Sequence, residues 1–194
     1  MIITLTGASG TGKDTIFELL KKDNPNLRFV ESITTREKRS SDRPGAYRYV
    51  SIEEFERLKR GDKFVWHVGE HNNSYGTLKE SLQEAVESKE IFFMILVPKS
   101  VKLLFNISKK KIIPFYIISP KESELRRRLK NRGEKEEAIE KRIADCRPWD
   151  KEANLDTELG IVPYQFIAND IYPPKELAIP NIKRILEQKY KISI

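Results

Sequence analysis

The residues best suited to chemistry lie close to the start of the chain, in the stretch GASGTGKDT from Gly7 to Thr15. Glycines at 7, 10 and 12 let the backbone turn sharply and aim several N–H donors at one anion. The N-terminus of a following helix adds positive potential at the same point. Ser9, Gly10, Thr11 and Gly12 would then cradle phosphates, and Lys13 would reach the outermost of them as a point charge. A GxxxxGK pattern is specific when it joins a strand to a helix, and the chemistry it implies is the holding of a nucleoside triphosphate. The residue after the lysine is Asp14, and the hydroxyl commonly found there arrives one position later, at Thr15. A carboxylate beside phosphates is repulsive unless a cation lies between, so Asp14 is a candidate ligand for Mg²⁺. The alternative is an exposed carboxylate that interacts with the helix dipole.

The elements that must position this loop are legible around it. Ile2 to Thr6 is short and β-branched, and Thr15 to Lys22 carries apolar residues at helical spacing, giving strand, loop, helix. Asn24 and Pro25 end that helix, and Leu27 to Ile33 reads as one extended segment leading into a loop from Thr34 to Pro44. Tyr47 to Val50 reads as a strand. Ser51, followed by Glu53 and Glu54, reads as the N-cap of a helix that stops at Gly61. Phe64 to Val68 and Ser74 to Thr77 form two short strands about the turn His71 to Asn73, and Leu78 to Ser88 is helical. The continuous apolar runs Ile91 to Val97 and Ile112 to Ile118 are strands covered on both faces of a parallel sheet. Glu122 to Asn131 and Glu136 to Asp145 are charged helices separated by Gly133, a candidate hinge, and Pro148 predicts an end to the second. Tyr164 to Ala168 is a last strand and Ile179 to Tyr190 a closing helix. The fold class is α/β: a central parallel sheet flanked by helices, with its ligand site at the carboxyl ends of the strands.

Composition narrows the function classes. The 194 residues are 34% charged with a formal charge of +7, and no segment approaches the roughly 18 apolar residues of a membrane span. A soluble protein with no membrane partner is expected. Ile2 to Leu5 carries no charged leader, so export is not expected. A single cysteine, Cys146, forms no intrachain disulfide and suggests the cytoplasm. The basic excess favours anionic partners, but Lys109 to Lys111 and Arg126 to Arg128 lack interleaved aromatics for base stacking. Solvated faces plus a phosphate site account for them, and no nucleic acid partner is expected. His67 and His71 read as polar loop residues, with no metal-ligand spacing. Nothing in the sequence specifies an oligomeric state.

The segments SITTREKR (Ser32 to Arg39) and SYGT (Ser74 to Thr77), with Tyr49 and the P-loop, give a pattern that resembles the guanylate kinase family across nearly the whole chain. The resemblance implies one domain over residues 1–194. Its P-loop kinase core would span 1–31, 83–122 and 147–194, with an acceptor-binding subdomain at 32–82 and a lid at 123–146. It implies ATP and Mg²⁺, and as partner a small phosphorylated acceptor, GMP or a related monophosphate. By position, Arg36, Arg39, Tyr49 and Tyr75 would grip the acceptor's phosphate, and Ser32 and Thr77 would face the base. Arg132 and Arg142 match lid arginines that neutralise the transferring group, with Lys13 and Arg36 beside them. Arg128 matches a third basic position, and Asn169 and Asp170 match the adenine-side loop.

The chain departs from the family where guanine is read. Trp66 stands at the glutamate's position when FVWHVGEHNNSYGT is matched without gaps, or Val65 if the tryptophans are matched, and neither accepts a hydrogen bond from guanine. Ile91 to Val97 also lacks the family's aspartates. Glu70 is a candidate replacement after a local shift. The combination of Gly-Lys-Asp with missing acids also resembles ribose 1,5-bisphosphate phosphokinase, whose acceptor has no base. A third reading is a non-catalytic guanylate-kinase-like module that binds phosphopeptides.

Overall fold

The structure is a computed structural model that describes residues 1–38, 42, 44–70, 72–108, 111–170 and 176–194. Arg39, His71, Lys109, Lys110 and the Pro173–Pro174 pair lie outside the described residues, as does the side chain of Glu70.

Five parallel strands form the main sheet: β1 (Ile2–Thr6), β2 (Arg28–Phe29), β7 (Phe92–Leu96), β8 (Ile112–Ile117) and β9 (Gln165–Ile167), in the order β2-β7-β1-β8-β9. β1 is buried along its whole length between β7 and β8, as a strand covered on both faces should be. The alternation of its side chains builds two cores. Ile3 and Leu5 join Phe93, Ile113 and Phe115 beneath α1 (Lys13–Asp23) and α7 (Ala178–Tyr190), through Ile16, Leu20, Ile182 and Leu186. Ile2 joins Met94, Leu96 and Tyr116 on the opposite face. There α3 (Lys79–Glu87), α4 (Pro98–Ser108) and α6 (Glu136–Glu158) supply Leu82, Val101, Leu104 and Ala153. This is the expected α/β architecture.

A second sheet, β4-β3-β6-β5, stands beside the first and comprises β3 (Ser32–Thr34), β4 (Tyr47–Tyr49), β5 (Phe64–Glu70) and β6 (Asn73–Leu78). The expectation of one extended segment from Leu27 to Ile33 is corrected here. Val30 N still bonds Phe93 O of the main sheet at 3.0 Å, whereas Ser32 N already bonds Ala46 O beside β4 at 3.1 Å. The strand changes sheets within two residues because its two ends find different partners. Ser51 does cap α2 (Ile52–Arg60), accepting from Glu54 N at 3.2 Å, and Gly61 ends it.

The second correction concerns Pro148, which lies inside α6. A proline costs a helix interior about 3 kcal/mol, but the turns beyond it are fixed from outside. Ala153 is fully buried, Tyr116 Oη donates to Asp150 at 2.8 Å, and Lys102 bridges Glu152 and Asp156 at 2.6 and 3.1 Å. Tertiary contacts override the local penalty. Helix α4 was not expected between the two apolar strands, although Pro98 at its first position and the i, i+3, i+4 spacing of Val101, Leu104 and Phe105 both signal it. Gly133, at φ +78, follows α5 (Glu122–Asn131) as its capping glycine, with Gly133 N on Lys130 O and Glu134 N on Leu129 O. Arg126 reaches from α5 to Glu136 and Glu140 at 2.5 and 2.6 Å and holds α6 against it.

Candidate active site

The P-loop leaves β1 and enters α1, whose N-terminus carries no side-chain cap, so its first N–H groups stay available to an anion. Gly10 and Gly12 adopt φ +85 and +96, and a Cβ at either would lie 2.6 Å from Leu125 Cδ1 or 2.5 Å from Asn169 Nδ2. The loop is therefore packed from beneath as well as turned. Asn169, fully buried, donates to Thr11 O at 2.7 Å, and its own carbonyl accepts from Arg128 at 2.8 Å. Arg128 is also held by Glu124 at 2.7 Å. Both residues buttress the loop, while Asp170 next to them is exposed.

Lys13 folds back on the loop and donates to Gly7 O and Ala8 O, both at 2.7 Å. Burial lowers its pKa to about 8; Asp14 opposes the shift and Arg132 and Arg142 add to it. Three cations therefore converge around the place where a phosphate would sit. Arg142 also donates to Ser9 Oγ at 2.7 Å and pairs with Glu134, which ties α6 to the P-loop. Arg132, the exposed residue after α5, shares a cleft of about 690 Å³ with Arg142.

On its other side the same cleft is lined by Asp14, Arg36, Asp42, Tyr47 and Tyr75. The P-loop, the second sheet and the α5–α6 arm thus meet in one space. Arg36 is bound bidentately by Asp42, at 2.8 and 2.9 Å, and the Tyr49 hydroxyl donates to the same carboxylate at 2.8 Å. Burial works against the Arg36 charge, but the Asp42 hydrogen bonds and carboxylate outweigh it and raise its pKa. Burial and the Asp42 bond likewise push the Tyr49 phenol up to about 12.

Sequence reasoning missed Asp42 and Tyr47. Tyr47 and Tyr49 share one face of β4 by the two-residue period, yet it is Tyr47 that lines the cleft and packs against the Tyr75 ring at 6.5 Å. Ser32 Oγ and Thr77 Oγ1 lie 3.3 Å apart across the second sheet, both buried. Between them and the P-loop opens a smaller cavity of about 170 Å³, walled by Trp66, Val68, Leu96, Val97, Ser100 and Trp149. Among the described residues that line it there is no carboxylate. Arg39 and the Glu70 side chain lie outside the described residues.

Mg²⁺ bound with phosphates needs only one or two carboxylates, with waters and substrate oxygens completing the shell. Asp14, exposed and facing the larger cleft beside the first turn of α1, fits that requirement, with the Thr15 hydroxyl next to it in sequence.

A five-stranded parallel sheet with a P-loop after its central strand, a second sheet beside it and a helical arm of arginines defines a P-loop phosphotransferase. The comparisons with known proteins sharpen that class. The family model for guanylate kinase matches residues 1–157. The guanylate kinase of Carboxydothermus hydrogenoformans is 34% identical over 158 residues, which is 80% of this chain and 76% of that protein. That of Nitratidesulfovibrio vulgaris is 33% identical over 75% and 71%. The crystal structure of guanylate kinase from Anaplasma phagocytophilum overlays with a TM-score of 0.63 at 23% identity, covering 100% of this chain and 96% of that one. A gluconokinase from Sinorhizobium meliloti, at 15% identity and a TM-score of 0.50 over 97% and 95%, shares the fold. The chain belongs to the guanylate kinase family.

Proposed function

We propose that the protein transfers the γ-phosphoryl group of ATP to a nucleoside monophosphate, GMP or dGMP, forming the diphosphate by direct in-line displacement. The observation that carries this reading is the cleft in which Asp14 of the P-loop, Arg36 just beyond β3, Tyr47 of β4, Tyr75 of β6, and Arg132 and Arg142 of the α5–α6 arm face one another. The names of the relatives support GMP as the acceptor.

In this reading Lys13 and the loop amides hold the triphosphate, and Ser9 is positioned by Arg142. Arg36, with Tyr75 and Tyr47, receives the acceptor's phosphate, which takes the place of the Asp42 carboxylate on the guanidinium fork. Arg39 belongs to the same proposal by its place in the motif. Asp42 keeps Arg36 oriented and Tyr49 docked until then. A phosphate monoester is already anionic at neutral pH, so no side chain need remove a proton. Lys13, Arg132 and Arg142 stabilise the charge that spreads over the transferring group. Asp14 would hold Mg²⁺, whose chemistry is to bridge and neutralise the outer phosphates. Closure of the α5–α6 arm would exclude water and complete the cationic ring. Asn169 and Arg128 act beneath the loop, leaving Asp170 to face the adenine side.

Among the described residues no helix is long and apolar enough to cross a membrane, and we place the protein in the cytoplasm without a nucleic acid partner. A base-free ribose bisphosphate leaves the space between Trp66 and Trp149 in the inner cavity without a ring to fill it. A silent phosphopeptide module has no use for Lys13 or for the lid arginines. The test is chromatographic: ATP with GMP should yield ADP and GDP in equal amounts, and absence of GDP would defeat the reading.

A further inference from the structure

Arg142 is held at two points. Its Nη1 donates to Ser9 Oγ of the P-loop at 2.7 Å, and its Nε lies 2.5 Å from a carboxylate oxygen of Glu134. Both side chains of that ion pair are only 17% exposed, so water and salt screen it weakly. The third guanidinium nitrogen, Nη2, has no partner among the described residues. Arg142 and Glu134 both line the cleft shared with Asp14 and Arg36. Arg132 lines it too, but is exposed and has no side-chain partner among the described residues.

The carboxylate is itself fixed through the backbone. Gly133, at φ +78, turns the chain out of α5, and Glu134 N bonds Leu129 O at 3.3 Å. Arg126 clamps Glu136 and Glu140 of α6 onto α5. Helix α5 in turn bears on the loop through Leu125 beneath Gly10 and Arg128 on Asn169. Glu134, Arg142 and Ser9 thus form a chain from the α5–α6 turn to the P-loop. A carboxylate in this place either competes with phosphate for the arginine or orients it. A competitor takes the outer fork, as Asp42 takes both Nη atoms of Arg36. Glu134 takes the Nε side and leaves Nη2 open, which is the geometry of an orienting group.

We propose that Glu134 is a positioning residue for phosphoryl transfer: it acts through Arg142, holding the guanidinium against Ser9 so that Nη2 meets the transferring group already ordered. An arginine fixed in advance has less side-chain freedom to lose and less to reorganise as charge develops. The inference rests on the phosphotransferase reading and names the residue that prepares one of its arginines.

The test is a double-mutant cycle on the full chain with Glu134→Ala and Arg142→Met. Glu134→Ala alone should lower kcat about tenfold, with the acceptor KM within about twofold. Glu134→Gln keeps the shape and an oxygen for Nε, and should recover at least about a third of the wild-type kcat. In the Arg142→Met background, Glu134→Ala should change kcat by less than about twofold. Calorimetric titration with ATP repeats the cycle without turnover: Kd should rise about threefold in Glu134→Ala and no further in the double variant than in Arg142→Met.

A higher kcat or a tighter ATP Kd in Glu134→Ala would mark the carboxylate as a competitor and overturn the proposal. An unchanged kcat would overturn it too. So would the same tenfold loss in both backgrounds, because Glu134 would then act on the fold and not through Arg142. If the wild type phosphorylates no acceptor, the proposed function falls while the ATP cycle still decides the role of Glu134. Turnover with independent effects at the two positions would remove the positioning role alone.

Discussion

The two sides of the cleft, which in the proposed reading face the phosphoryl donor and the acceptor, are built on different terms. The donor side is closed and over-determined: Lys13 is tied to Gly7 and Ala8, Asn169 to Thr11, and Arg128 to Asn169 and Glu124. These contacts hold the loop's own shape. The acceptor side is provisional by comparison. Its arginine is engaged by a carboxylate of the same chain, Asp42. In the proposed reading a triphosphate meets a preformed cradle, whereas the acceptor must displace one ion pair. Shape on the donor side is fixed by folding, and selectivity on the acceptor side is fixed by the ligand.

Substitutions should break this contrast in graded fashion. The largest effect is expected from Lys13→Met, which should lower kcat by on the order of 10²–10³ and leave the acceptor's Kd nearly unchanged in fluorescence titration. Next, Arg36→Ala should weaken acceptor phosphate binding by about 2 kcal/mol, seen as a raised acceptor KM with little change in that for ATP. Asp42→Asn keeps the shape but weakens the hold on Arg36. A lowered acceptor KM, by several-fold, would mark the carboxylate as a competitor for the fork, and a raised one would mark it only as a support.

The smallest effect is one of pH. The buried Lys13 ammonium titrates near 8, so its charge is present below that pH and is lost as pH rises through it. ATP affinity should therefore fall above about pH 8, by up to about tenfold per unit, while the acceptor's Kd stays flat. The stability consequence has the opposite sign. Between about 8 and the ordinary lysine value of 10.5 the folded chain binds fewer protons than the unfolded one, so unfolding should become slightly harder across that window.

The donor side was also the more legible in sequence. Glycine spacing, a lysine and a helix start are local signals, and β1, the P-loop and α1 all follow from residues next to one another. The acceptor side depends on pairing across long separations. Nothing within Leu27 to Ile33 says that Val30 bonds one sheet and Ser32 another, since Phe93 and Ala46 decide it. Nor does the spacing of Tyr47 and Tyr49 say which ring faces the cleft, because the registers of β4 on β3 and of β3 on β6 set that. Pro148 misleads for a related reason: the contacts that hold the helix beyond it come from Lys102 and Tyr116, far away in sequence. The missing base-reading acids were visible from the sequence, but the cavity walled by Trp66 and Trp149 appears only once residues far apart in the chain come together.

The most direct measurement is acceptor-dependent ADP release from ATP, with GMP, dGMP, IMP, AMP, UMP and ribose 1,5-bisphosphate supplied separately. The account predicts rapid release with GMP and dGMP, little with AMP or the ribose bisphosphate, and loss of all of it in Lys13→Met. Release no faster with any monophosphate than with ATP alone would contradict it.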